Sequence, residues 1–199
     1  MKIVSWYNKL LDRKKEYFRD LNHKKFVSHI TIPQNAKVLD ISCGNGNELN
    51  IVHKYFPSTL LYGIDMQQAE INKALKHCRR GNFQVAYAEN LPFENKSFDL
   101  IISCMTYHHY KNPAQVIKEV ARVLTDEGMF YLGDIIPSYF FSKFYSNLHG
   151  CSEPYHFESY YTKNNIEKVL KKYGLTIKED FLLKKFSMQR ILLIKRVSE

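Results

Sequence analysis

An α/β fold, one mostly parallel sheet with helices on both faces, is what this sequence predicts, and three observations predict it. Short runs rich in Val, Ile and Leu alternate with amphipathic stretches of helical period from residue 36 onward. Seven of those runs read as strands, and alternation of strand with helix places parallel strands between two helical layers. The first run ends in a carboxylate followed by a glycine-rich turn, "VLDISCGNGNEL" at residues 38–49. In open α/β sheets, ligands bind at such carboxyl ends, near the point where the strand order reverses.

The elements follow in order. The first thirty residues place Val4, Tyr7, Leu11, Phe18 and Leu21 near a helical period with Lys and Arg between them, so they read as one or two helices laid on the main domain. "AKVLDI" is the first strand, and Asn47 is expected to cap a helix running to about Phe56. "TLLYGID" is the second strand, followed by a helix through "QQAEINKALKHCRR" with Gly81 as its stop. "NFQVAYA" and "FDLIISC" are further strands, with "LPFENKS" as the loop between them. In "NPAQVIKEVARVL", Asn112 is the cap, Pro113 takes the first helical position and Gln115 closes a capping box. Val116, Ile117, Val120, Val123 and Leu124 share one face, which packs on the sheet. "GMFYLGD" is the fifth strand. "TKNNIEKVLKKYG" is a last helix with Ile166, Val169, Leu170 and Tyr173 inward and Gly174 just past its end, before two closing strands, "LTIKEDF" and "MQRILLIK".

With 199 residues, 45% hydrophobic and 25% charged, the chain can bury a full core as one domain. Its expected parts are N-terminal helices (1–35), a ligand-binding core (36–135), an insert over the substrate (136–162), and a C-terminal helix with two strands (163–199). Charge interrupts "MKIVSWYNKLLDRKKEYF" every few residues, which fits neither a signal peptide nor a membrane span, so the expected location is cytoplasmic. Cys43, Cys78, Cys104 and Cys151 show no CxxC pair and no His at zinc-ligand spacing, so reduced thiols are expected and a structural metal is not. The net charge of +9 sits at the two ends: eight Lys or Arg against three acids in residues 1–35, and ten against four in residues 163–199. Dispersed lysines on solvated helix faces account for this without a nucleic-acid partner.

The glycine loop narrows the ligand. A dinucleotide fingerprint counted from Gly44 and Gly46 needs glycine where Leu49 stands, and a phosphate loop needs a Gly-Lys-Ser/Thr run that the chain lacks. What remains is Asp40-x-Ser42-x-Gly44-x-Gly46. These residues resemble the first motif of class I S-adenosylmethionine-dependent methyltransferases, acidic-x-Gly-x-Gly-x-Gly at the end of the first strand. The resemblance runs over roughly residues 36–135 through "GID", "AENLPFENKSFDLIIS" and "YHHYKNPAQVIKEVARVLTDEGMFYLGD", and is nearest to the small-molecule branch that holds the ubiquinone/menaquinone-type enzymes. It implies a Rossmann-like, doubly wound, seven-stranded sheet with an antiparallel last strand, and S-adenosyl-L-methionine as cofactor.

It also implies a role for each matched residue. Asp40 would accept from the cofactor's α-ammonium, while amides from Cys43 through Asn45 to Gly46 and the helix start face its carboxylate. Gly44 and Gly46 let the backbone approach closely. Asp65, at the end of the second strand, would accept from both ribose hydroxyls, and Met66 would pack on the adenine. Ala88 and Glu89 match the adenine-binding segment, and Ser103 and Cys104 close the site at the end of the fourth strand. Two positions depart from the pattern: Ser42 replaces the usual first glycine, and Tyr87 stands where relatives often place an aspartate for the adenine amino group.

Methyl transfer from a sulfonium is an in-line displacement that needs the nucleophile about 3 Å from the methyl carbon. A base is needed only for a protonated acceptor, and His108 and His109 just past the fourth strand titrate in the right range for that work. Asp134 is the one obvious carboxylate for a metal-assisted alternative, so a metal-free reaction is expected. The stretch "SCMT" carries neither the Asn/Asp-Pro-Pro-aromatic motif of DNA amino-methylating enzymes nor a Pro-Cys nucleophile. The aromatic-rich insert "PSYFFSKFYSNLHGCSEPYHFESYY" would close over a compact, partly apolar acceptor, which makes a small molecule the expected partner. Two other classes stay open on sequence: a non-catalytic cofactor-binding subunit and a methyltransferase of RNA or protein.

Overall fold

The structure, a computed structural model, describes residues 22–136, 161–183 and 189–197. A helical segment at 22–28 (α1) leads into β1 (Lys37–Asp40), α2 (Asn47–Tyr55), β2 (Leu60–Asp65), α3 (Gln68–His77) and β3 (Gly81–Val85). The second half runs β4 (Phe98–Cys104), a 3-10 turn (Tyr107–His109), α4 (Pro113–Val123), β5 (Leu124–Ile135), a helix named here α5 (Lys163–Lys172), β6 (Leu175–Leu182) and β7 (Gln189–Arg196). The seven strands form one sheet in the order β3-β2-β1-β4-β5-β7-β6. β1 to β5 are mutually parallel, and β7 inserts antiparallel between β5 and β6. The expected mostly parallel, doubly wound sheet with an antiparallel last strand is therefore present. Its switch point lies between β1 and β4, where Asp40 sits level with Gly63 on one side and Ile102 on the other.

Alternation of side chains along the strands builds two cores. Leu39, Ile101, Phe130 and Leu132 face α4 and α5, which contribute Val116, Ile117, Val120, Ile166 and Leu170. Val38, Leu100, Ile102 and Tyr131 face the opposite layer of Phe26, Val27, Leu49, Val52, Ile71 and Ala74 from α1, α2 and α3. α1 docks where β5 offers Gly133: a Cβ there would lie 2.7 Å from the Phe26 ring. Among the described residues, no helix is long and apolar enough to cross a membrane.

Local expectations fail at three points, each for a stated reason. Asn47 is the first helical residue of α2 and not its cap; Gly46, at φ +79°, takes the cap position in a left-handed conformation. Gly81 opens β3 instead of stopping α3, because a Cβ there would lie 2.5 Å from the Phe83 ring that covers it. Asn112 does cap α4, accepting from the Gln115 amide at 3.1 Å, but the Gln115 side chain donates to the Glu89 carbonyl and leaves the capping box one-sided. α5 ends as expected, with Gly174 in left-handed geometry just beyond it, and Thr162 caps its start. The loop "LPFENKS" is clamped by Arg122, which donates to the carbonyls of Leu91 and Phe93, to Asn95 and to Glu119. Val4, Tyr7, Leu11, Phe18 and Leu21, Cys151, and the insert aromatics Tyr139, Phe140, Phe141, Phe144, Tyr145, Tyr155, Phe157 and Tyr160 lie outside the described residues.

Candidate functional site

The turn after β1 is held by the Asp40 and Asp65 carboxylates together with backbone bonds to β2 and within the turn. Asp40, 1% exposed, accepts from the Ser42 amide at 3.1 Å. The Cys43 amide donates to the Ile64 carbonyl at 2.8 Å, the Gly44 amide to Asp65 Oδ2 at 3.0 Å, and the Gly46 amide to the Cys43 carbonyl at 2.8 Å. Gly44 and Gly46 have φ of +48° and +79°, a region that favours glycine. Gly46 also lies against α3, where a Cβ would come within 3.2 Å of Ala74, whereas a Cβ on Gly44 would meet nothing. The amides of Cys43, Gly44 and Gly46 are thus engaged in holding the turn. The N–H groups of the first turn of α2, which a helix leaves unpaired internally, remain for an anionic group.

Around this turn the charge is negative and buried. Asp40 and Glu48 are buried, Asp65 is half-buried, and all three influence Cys43. Burial, then the nearby Glu48, pushes the Asp40 carboxyl well above the usual carboxylate range. Burial also raises Asp65, opposed by the amides of Gln67 and Gly44. Burial, with the same carboxylates, keeps the Cys43 and Cys104 thiols protonated. Glu48 is paired with His23 of α1, so the N-terminal segment forms one wall of the site. Sequence reasoning missed Glu48 and His23, because a carboxylate in the first turn of a helix reads as ordinary dipole pairing.

A hydroxyl network joins this turn to the end of β4. Tyr110 Oη lies 2.7 Å from Ser42 Oγ, 3.2 Å from Ser103 Oγ and 3.3 Å from Thr106 Oγ1. Ser42 Oγ also donates to the Ile41 carbonyl, so the serine at the usual first-glycine position bonds to its surroundings. Burial pushes the Tyr110 phenol up to about 12, so it stays a neutral donor at physiological pH. Ser103 and Cys104 are buried, Ser103 within this network.

His108 is fixed by Asp134 at the end of β5. The carboxylate accepts from the His108 amide at 3.1 Å, contacts Nδ1 at 2.7 Å, and accepts from the Ile135 amide. The Nδ1 contact with the carboxylate fixes the orientation of the imidazole ring. Asp134 is therefore occupied in orienting an imidazole. His109 stacks on His108 with ring centroids 3.9 Å apart. The Tyr107 hydroxyl is buried without a hydrogen-bond partner among the described residues, and its ring packs on Tyr161 and Tyr110.

The adenine side is more open. Met66 and Tyr87 are exposed, Ala88 is buried, and Glu89 is half-buried with its carbonyl engaged by Gln115. The Ala86 amide donates to the Asp65 carbonyl, which brings this segment to the end of β2. Asn45 presents its carbonyl to His77 at 3.2 Å.

Residues 39–132, from within β1 to within β5, match the sequence model of a family described as "Methyltransferase domain". The match covers just under half of the chain and takes in the glycine turn, Asp65 and the end of β4. The chain is similar to the demethylmenaquinone methyltransferase of Thermotoga maritima, 29% identical over 129 residues, or 64% of this chain and 56% of the relative. The phthiotriol/phenolphthiotriol dimycocerosates methyltransferase of Mycobacterium tuberculosis is 33% identical over 104 residues, 51% of this chain and 38% of the relative. The chain thus spans about half the length of these curated relatives or less. Among solved structures, the YcgJ protein of Bacillus subtilis superposes with a TM-score of 0.74 at 18% identity, over 88% of this chain and all of that one. A geranyl diphosphate methyltransferase in complex with S-adenosylmethionine superposes with a TM-score of 0.70 at 14% identity, covering 89% and 85%. At such identities the structural likeness is one of fold.

Proposed function

We propose that the chain is a methyltransferase that moves the methyl group of S-adenosylmethionine to a small-molecule acceptor by in-line displacement. The observation that carries this reading is the set of two carboxylates, Asp40 buried and Asp65 half-buried, gathered around a glycine turn at the switch point. Burying carboxylates without a cationic partner is costly, and the cofactor brings two positive groups, its α-ammonium and its sulfonium. A dinucleotide brings phosphates, which this field would repel.

In the proposed arrangement Asp40 receives the α-ammonium, the first turn of α2 receives the carboxylate, and Asp65 turns from the Gly44 and Gln67 amides toward the ribose hydroxyls. Met66, Ala88 and Glu89 border the adenine. The nucleophilic atom of the acceptor attacks the methyl carbon as the carbon–sulfur bond breaks, and the electron pair returns to sulfur as a neutral thioether. Where the acceptor arrives protonated, His108 Nε2 takes the proton, steadied by Asp134. Loss of the sulfonium charge leaves a product that the carboxylate set holds less tightly, which favours its release. The family resemblance and the names of the two relatives, each a small-molecule methyltransferase, support the acceptor class.

The test is calorimetric titration with S-adenosylmethionine and NAD, followed by a screen for S-adenosylhomocysteine release with small metabolites on one side and RNA and protein pools on the other. Binding of S-adenosylmethionine with turnover in the metabolite pools is expected. Preference for NAD, binding without turnover in any pool, or turnover confined to macromolecules would overturn the reading.

A further inference from the structure

We propose that His23, Glu48 and Cys104 form a three-ligand site for a divalent ion of the zinc class. A His23 ring nitrogen, a Glu48 carboxylate oxygen and Cys104 Sγ lie within 4.8 Å of one another. They come from three separate elements, α1, the first turn of α2 and the end of β4, so no local motif gathers them. All three are withdrawn from solvent: the His23 and Glu48 side chains are 15% and 6% exposed, and Cys104 is 9% exposed.

One nitrogen, one oxygen and one sulfur are the donor types of zinc, whereas magnesium and calcium take oxygen ligands. Ordinary zinc bond lengths in a tetrahedral shell hold the donors about 3.4–3.6 Å apart. The His23–Glu48 contact would open to that spacing and the longer separations would close, within the reach of side-chain rotation. A bound ion would take Cys104 as thiolate and neutralise a buried carboxylate beside Asp40. It would also bind α1 to α2 and β4, adding to the apolar contact of Phe26 with Gly133. The competing arrangement is a metal-free His–Glu pair with the thiol as its neighbour.

Cobalt(II), added to chelator-stripped full-length protein, separates the two. The site predicts one equivalent bound with tetrahedral visible bands and a thiolate charge-transfer band in the near ultraviolet, all erased by zinc. A Cys43→Ala/Cys78→Ala/Cys151→Ala triple variant, which keeps Cys104, should retain the charge-transfer band. Cys104→Ser should lose it, and His23→Ala should weaken cobalt binding about tenfold or more at unchanged circular dichroism. Absence of the charge-transfer band in the native protein, or its persistence in Cys104→Ser, would overturn the proposal. If Cys104→Ser does not fold, the triple variant decides: loss of the band there overturns the site as well. None of these readouts depends on methyl transfer.

Discussion

The Asp65 carboxylate holds the backbone N–H of Gly44 at 3.0 Å through Oδ2, while its Oδ1 accepts from the Gln67 amide at 2.9 Å. One side chain at the end of β2 therefore sets the shape of the turn after β1. Cofactor binding would exchange these amide partners for the ribose.

Asp65→Ala should weaken S-adenosylmethionine by about 1.5–3 kcal/mol, the range for hydrogen bonds to a charged group. It should also lower the melting temperature of the ligand-free protein, because two amides lose their acceptor. Calorimetry and a thermal melt check both; unchanged affinity in a folded variant would take Asp65 out of the site.

Asp40→Asn should separate stability from binding. Burial raises the Asp40 carboxyl in the folded state, so the folded protein holds that proton to higher pH than the unfolded chain does. The sign follows: this group costs nothing below its unfolded pKa, and stability falls as pH rises toward its folded pKa. The amide keeps the oxygen that accepts from Ser42 and removes the charge. Melts at pH 8 should show a more stable ligand-free variant, with cofactor affinity lower by about tenfold, or about 1.4 kcal/mol.

His108→Gln should lower kcat by about 100-fold or more for an acceptor that must lose a proton, and have little effect for one that need not. Asp134→Asn, acting through orientation of the imidazole, should lower kcat while leaving KM and S-adenosylmethionine affinity near native. Steady-state kinetics on both variants provide the check. A fall in cofactor affinity with unchanged kcat would place this pair on the cofactor.

Tyr110→Phe removes the hydroxyl that joins Ser42 to Ser103 and Thr106. Because Ser42 keeps the Ile41 carbonyl and Ser103 keeps Thr106, the loss should destabilise the protein by about 0.5–1.5 kcal/mol in denaturant unfolding. Amide exchange in residues 41–46 should rise with it. Equal exchange in both proteins would show that the network does not hold the turn.

Local chemistry by itself determined the strands, most of the helices and the glycine turn. Alternating and helical periods are properties of neighbouring residues, and a left-handed backbone favours glycine, as at Gly44 and Gly46. Asn112 and Gly174 were legible for the same reason: each helix end is completed within a few residues. Only the tertiary structure decided what those residues meet. Gln115 left its capping box because the Glu89 carbonyl came within reach, and Asp134 became the partner of His108 across 26 positions of chain. Ser42 found Tyr110 across 68 positions, and Glu48 found His23 across 25. The physical reason is that parallel strands bring their carboxyl ends to one edge of the sheet, so residues far apart in sequence share a site there. Period and propensity describe a residue's own turn or strand, whereas hydrogen-bond partners and burial of charge depend on which other segments the crossovers deliver.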